Sequence, residues 1–485
     1  MARAETILVG GRWRPAETGE AVDVLDPSTG AAFAAIARGG AADVDAAVAA
    51  AREAFDGGWG RLAPAERGRL LGEIARLIDR DHDRLAVLEA RDTGKPFRQA
   101  RADIAACARY FEFYAGACDK HHGETLPYQP GYTVITLKEA YGVTGHIIPW
   151  NYPSQIFGRT IGAALAAGNA SVLKPAEEAC QTPIALADLA MEAGLPDGVL
   201  NLVTGLGPEA GAVLAGHPGI DHVSFTGSPE TGAAVQAAAA RFNRPVTMEL
   251  GGKSPQIVFE DADLDAALPF ITNAIVQNAG QTCSAGSRLL VQETIADAFV
   301  ERVAERFRAL ETGPADRDLD CGPLISARQL DRVRGYLRRA ETDGLELLAE
   351  GRLAANAPAG GFYAVPTLVG GLGGAGVPSD HPIAREEVFG PVLAVQRFTD
   401  EAEAIRLANA TDFGLVAGIW TCDGGRQMRL ARAVRAGQVF VNTYGAGGGV
   451  ELPFGGMKRS GFGREKGMAA LDHFSVLKTV AIHHG

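Results

Sequence analysis

No run of about 18 uncharged apolar residues occurs anywhere in this 485-residue chain, so no membrane-spanning helix is expected. The opening stretch Met1–Val9 lacks the long apolar core of a signal peptide. Positive charge is in deficit. Lys and Arg number 46 against 58 Asp and Glu, a net charge of −12, which argues against nucleic acid or an anionic membrane as partner. Cysteines are few and scattered: Cys107, Cys118, Cys180, Cys283, Cys321 and Cys422. None forms C-x-x-C, and none stands at zinc-ligand spacing from a histidine. This excludes a disulfide framework and leaves no metal site to propose; His483-His484 reads as a polar tail. Internal repeats and low-complexity linkers are also lacking. The expectation is a reduced, cytoplasmic protein.

What is present is a long chain of ordinary composition, 47% hydrophobic and 21% charged, with room for two or three domains of about 150 residues. Residues 6–38 alternate short β-like runs with turns. Helical patterns follow at 41–56, 64–80 and 97–118. The run 132–138 is strand-like but too polar for a central parallel strand, and reads as an arm or edge. From 141 to 250, short strands (143–148, 170–174, 199–204, 222–226, 246–250) alternate with alanine-rich helices (154–167, 182–193, 207–216, 229–241). That rhythm predicts parallel βαβ units with ligands beyond the carboxyl ends of the strands. A second alternation begins at 256 and runs to 421. The strand-like end, 475–482, can pair with the arm or with another subunit.

Three stretches carry chemistry. In Asn278-Ala279-Gly280-Gln281-Thr282-Cys283-Ser284 a thiol lies among small and polar residues that a substrate can approach. In Met248-Glu249-Leu250-Gly251-Gly252-Lys253 a single carboxylate ends an apolar run. In Pro149-Trp150-Asn151-Tyr152-Pro153 an amide follows a strand. They read as nucleophile, base and oxyanion donor of one site. For phosphate, Gly205-Leu206-Gly207-Pro208 only approximates the dinucleotide fingerprint. Thr226-Gly227-Ser228-Pro229, which follows a strand and opens a helix, suits an anion better. Lys174-Pro175-Ala176-Glu177 has the groups to hold two ribose hydroxyls, or to form a plain ion pair.

These stretches, with Glu386-Glu387-Val388-Phe389-Gly390-Pro391 and Pro453-Phe454-Gly455-Gly456-Met457-Lys458, closely resemble the aldehyde dehydrogenase superfamily along nearly the whole chain. The resemblance implies an α/β fold: a Rossmann-like cofactor domain (1–120 and 141–250), a second α/β catalytic domain (251–445) and a β oligomerisation arm (121–140 and 468–485). It implies NAD, in preference to NADP, as cofactor, an aldehyde as substrate, no metal, and a homodimer or homotetramer. It makes Cys283 the nucleophile, Glu249 the base for water and Asn151 the oxyanion donor. Trp150, Lys174, Glu177, Gly227, Ser228, Glu387 and Phe389 are implied to hold the cofactor, and Tyr152, Arg159 and Gln277 to face the substrate.

The implied reaction runs through a thiohemiacetal and a thioester on Cys283, hydrolysed with help from Glu249. A coenzyme A-acylating or a phosphorylating relative would release the acyl group otherwise; Glu249 in the hydrolytic position disfavours the first, and nothing specific favours the second. A non-catalytic binding protein of the same fold would need no intact Cys, Glu and Asn set. For the substrate, Arg159 is similar to the arginine of enzymes acting on succinate semialdehyde, although their second arginine is here Gln277. With the small residues of Tyr444–Val450, this suggests a semialdehyde bearing a carboxylate or carbonyl. The other reading of Arg159 is an ion pair with a neighbouring carboxylate.

Overall fold

The computed structural model describes residues 6–445 and 449–485. Two α/β sheets lie in sequence, and the stretches around Asn151, Glu249 and Cys283 fall at their junction. Eight elements position the site. Helices α1 (His82–Thr93) and α2 (Phe97–Ala117) precede strand β1 (Val143–Ile148), helix α3 (Pro153–Ala166), strand β2 (Ala170–Pro175), strand β3 (His222–Thr226), helix α4 (Pro229–Ala240) and strand β4 (Val246–Glu249). Leu200–Leu202, β2, β1, β3 and β4 are parallel neighbours in that order, with antiparallel short strands completing an eight-stranded sheet. The strand order reverses beside β1, so the ends of β1 and β3 open a crevice between them. Asn151 follows β1 and Gly227 follows β3.

The second sheet has seven strands, with Arg288–Gln292, Pro255–Val258 and Val416–Trp420 at its middle, all parallel. Only five residues separate Glu249, the last of β4, from Pro255, the first of the next sheet. Cys283 precedes its strand rather than following it. The carboxyl edge of the first sheet therefore meets the amino edge of the second. Continuous apolar cores flank both sheets.

The βαβ alternation and most element positions agree with the sequence pattern. Four features differ. Helix α1 carries no continuous apolar stripe: Leu85, Ala86 and Ala90 are buried among Asp83, Arg84, Glu89 and Asp92, and its charges conceal it. The strands Glu346–Glu350 and Thr367–Gly370 likewise carry no clear alternation. The 207–216 segment is a π turn, Gly207–Gly211, joined to one short α turn, Ala212–Ala215, with Pro208 at its start. The arm strand Tyr132–Ala140 is not an edge but the middle of three antiparallel strands, between Thr125–Leu126 and Ser475–His483 of the same chain. No helix among the described residues is long and apolar enough to cross a membrane. Met1–Glu5, and residues 446–448 of the small-residue wall expected at Tyr444–Val450, lie outside the described residues.

Candidate active site

A cavity of about 980 Å³ opens at the junction of the two sheets. Cys283, Glu249 and Asn151 line it together, from three stretches far apart in sequence. Trp150, Gly227, Ser228, Glu387 and Phe389 line it too, as do Tyr152, Arg159 and Gln277. Lys174 and Glu177 do not. They stand at the end of β2, where the ammonium donates to Glu177 at 2.7 Å and the Gly207 N–H reaches the same carboxylate at 3.4 Å. Gly205–Gly211 thus offers its amide to Glu177, an arrangement unlike a phosphate grip.

The cysteine loop is shaped by three successive left-handed residues, Asn278 (φ 49°), Ala279 (φ 54°) and Gly280 (φ 72°). Two are not glycine, a conformation that costs roughly 1–3 kcal/mol each and is characteristic of functional sites. The loop is held from outside: Asn278 N–H donates to Gln99 Oε1 at 2.9 Å, and Tyr444 donates its hydroxyl to Ser284 O at 2.6 Å. Against it lies the Gly251-Gly252 turn. A Cβ on Gly252 would stand 2.2 Å from the Cys283 carbonyl oxygen, and one on Gly251 2.3 Å from Glu387 Oε2. At Gly252 the obstacle is backbone, so only glycine lets this turn approach Cys283 so closely.

Cys283 is half-buried; of the other cysteines four are buried and Cys422 is exposed. Burial pushes the Cys283 thiol up to about 12, while Arg159 draws it down. Glu249 is buried, and neither carboxylate oxygen has a hydrogen-bond partner. Burial, and then the Glu465 charge, raise its pKa well above the ordinary carboxylate range. Unpartnered buried oxygens are costly, and here they face the cavity that holds the thiol. Asn151 Nδ2 gives one hydrogen to Gln281 O at 2.9 Å, leaving a second for an oxyanion. Tyr152 Oη lies 2.8 Å from Oγ1 of Thr282, the residue before Cys283, and accepts from Gln277 Nε2 at 2.8 Å.

The groups suited to a dinucleotide fit the cavity. Glu387 accepts the Gly252 N–H at 2.9 Å, and burial raises its pKa to about 7. Phe389, left-handed at φ 59°, meets Trp150 edge to face at 5.4 Å between centroids. Gln329 and Arg332 hold this loop by its Phe389 and Glu387 carbonyls, each at 2.6 Å. Ser228 caps α4, accepting the Thr231 N–H at 3.2 Å. The start of that helix therefore faces the cavity with its positive end.

Arg159 lines the cavity, but its guanidinium is engaged. It forms an ion pair with Glu465, donates to Thr226 Oγ1 at 3.2 Å and stacks over Phe454. The neighbouring carboxylate is thus Glu465, brought here because β4 pairs antiparallel with Gly461–Phe462, Glu249 opposite Gly461. Lys466 also lines the cavity. Burial and Arg159 lower its pKa to about 7. Motif reading does not single out Glu465, Lys466 or Lys95. The signal for the first two is their place between Gly463 and Gly467, where charged residues interrupt a glycine-rich turn.

Residues 13–480 match the family model described as the aldehyde dehydrogenase family. An aldehyde dehydrogenase of Emericella nidulans is 43% identical over 464 residues, covering 95% of this chain and 92% of that one. A Burkholderia cenocepacia protein, whose solved structure is described as that of a candidate aldehyde dehydrogenase, is 62% identical and superposes with a TM-score of 0.97, covering 99% of this chain and 100% of that one. An NAD+ complex of an aldehyde dehydrogenase from Bacillus cereus is 38% identical, with a TM-score of 0.95 and coverage of 99% and 97%.

Proposed function

Because the chain belongs to the aldehyde dehydrogenase family, and so carries out NAD-dependent oxidation of an aldehyde to a carboxylic acid, we propose that Cys283, Glu249 and Asn151 are the residues that perform it. The observation that carries this is their convergence on one cavity, with the Glu249 carboxylate unpartnered. In this reading the Cys283 sulfur attacks the aldehyde carbon. The second Asn151 amide hydrogen and the Cys283 backbone N–H bind the oxyanion. Bound NAD supplies the acceptor for the hydride. The thioester left on Cys283 is then opened by water whose proton passes to Glu249. An unpartnered carboxylate beside the thiol favours hydrolysis over acyl transfer to another thiol.

In this reading the cofactor lies over the first sheet (1–120 and 141–250), and the catalytic loop belongs to the second unit (251–445). Trp150, Gly227, Ser228, Glu387 and Phe389 are in position to hold it. Lys174 and Glu177 stand beside the β1 end as a ready-made pair for the adenosine ribose. Their ion pair leaves the Lys174 charge neutralised, so a 2′-phosphate gains little there and meets Glu177 repulsion. We expect kcat/KM with NAD to exceed that with NADP by at least tenfold; equal values would contradict this assignment of Glu177. Homo-oligomerisation, as a dimer or tetramer, uses the arm in this reading, supported by the exposed Leu137, Val476, Leu477 and Ile482. Six free cysteines fit a cytoplasmic setting.

For the substrate, we propose an aldehyde bearing a carboxylate or carbonyl acceptor, supported by the Arg159 guanidinium and the Lys466 amine, which line the same cavity as Cys283. Arg159 also balances Glu465, so Arg159→Leu alone should damage turnover of acidic and neutral aldehydes alike. Removing one partner of a buried pair costs about 3–5 kcal/mol. The double variant Arg159→Leu/Glu465→Gln removes that imbalance. It should regain stability and turnover of a neutral aldehyde, while an acidic semialdehyde stays about tenfold or more below wild type. Equal recovery for both substrates would show that Arg159 serves Glu465 alone.

A further inference from the structure

Beneath the oxyanion turn lies a lysine that touches neither the cavity nor solvent. Lys95 follows Gly94 between α1 and α2, and its ammonium is wholly buried. Three oxygens surround it: Asp103 Oδ2 at 2.5 Å, Glu89 Oε1 at 3.2 Å and the Asn151 backbone carbonyl at 3.0 Å. The ammonium also sits 4.4 Å from the centroid of the Tyr152 ring. Burial works against its charge, but Asp103 and Glu89 outweigh it and hold the pKa above the ordinary lysine value.

A buried ammonium has three N–H donors to satisfy, and two of them go to the carboxylates of Asp103 and Glu89. The third bond goes to the one residue whose side chain is the proposed oxyanion donor. The same carbonyl accepts a second bond, from Asn278 Nδ2 at 3.0 Å, and Asn278 is the residue that turns the chain toward Cys283. Asp103 in turn accepts from Gln155 Nε2 at 2.6 Å, two residues past the proline that opens α3. The turn 151–155 is thus fastened at both ends to α2 and its approach, and the cysteine loop is fastened to α2 through Gln99. Oxyanion donor and nucleophile share one frame.

We propose that Lys95 is the positioning residue of the oxyanion donor: through the Asn151 carbonyl and the Tyr152 ring it fixes the Asn151 amide relative to the Cys283 loop. The inference rests on the reading of Asn151 as oxyanion donor. A displacement of about 1 Å in such a site can cost about 10²-fold in rate.

The test is a double-mutant cycle on the NADH burst, the rate of the first hydride transfer, with NAD affinity and thermal unfolding followed in parallel. Asn151→Ala should slow the burst by about 10²–10³-fold. Lys95→Met should slow it by about 10²-fold with NAD affinity unchanged. In the Asn151→Ala background, Lys95→Met should cost no more than about two- to threefold, since the group it positions is gone. Lys95→Met leaves Glu89 and Asp103 unpaired and can fail to fold. In that case Asp103→Asn, which keeps volume and still accepts from Gln155, replaces it and should show the same non-additivity at smaller amplitude. Full multiplicative loss in the double variant would overturn the inference and make Lys95 a packing residue. A normal burst in Asn151→Ala alone would overturn the oxyanion reading itself, and the inference with it, in a single variant visible before the cycle is complete.

Discussion

Cys283→Ala is expected to abolish aldehyde oxidation, by at least 10⁴-fold in kcat, while NAD binding survives. The size follows from the mechanism. Without a sulfur to make the carbonyl carbon tetrahedral there is no hydride to transfer, and the remaining hydrogen-bond donors stabilise an oxyanion that no longer forms. Cysteine and alanine differ by one sulfur, and the loop is fixed by Gln99, Tyr444 and the glycine turn rather than by the thiol. The fold and the cofactor groups should therefore be undisturbed. Steady-state turnover and a fluorescence titration with NAD check this. Substantial residual turnover would remove Cys283 from the reaction; lost NAD binding would mean that the loop, not the sulfur, had been damaged.

Glu249→Gln should separate the two halves of the reaction. The first NADH persists, since the thiol attack and hydride transfer do not require this carboxylate. Steady turnover falls by about 10²–10⁴-fold, the range for loss of a general base. Its pH dependence follows from its surroundings. Burial and the Glu465 charge raise the Glu249 pKa, so its basic form is lost as pH falls and kcat should decline on the acid side. In Glu249→Gln that acid limb should vanish from the residual turnover. Burst and steady rates falling together would instead give Glu249 an earlier role, as the base that ionises Cys283.

The parts of this account that were legible in the sequence are those written in adjacent residues. Cys283, Glu249 and Asn151 stand in short segments that residue type singles out, and all three line one cavity; the strand–helix rhythm of 141–250 follows from period alone. What was not legible depends on contacts between distant segments. Arg159 was visible as an unusual cation, but its partner Glu465 is set by the antiparallel pairing of β4 with Gly461–Phe462, which no local pattern encodes. Lys95 belongs to no motif singled out in the sequence, because a buried charge is recognised only by what surrounds it. Helix α1 hides for the same reason: Glu89 and Asp92 are polar by type yet buried by position.

The central claim, a covalent acyl group on Cys283 released with the help of Glu249, is tested most directly by mass spectrometry. Glu249→Gln protein is mixed with NAD and an aldehyde and quenched in acid after the burst, and the intact mass and cysteine-containing peptides are measured. The account predicts a mass increase equal to one acyl group per active site, located on Cys283 and absent without NAD. An unmodified Cys283 after a full NADH burst, or an acyl group on another residue such as Cys422, would contradict it.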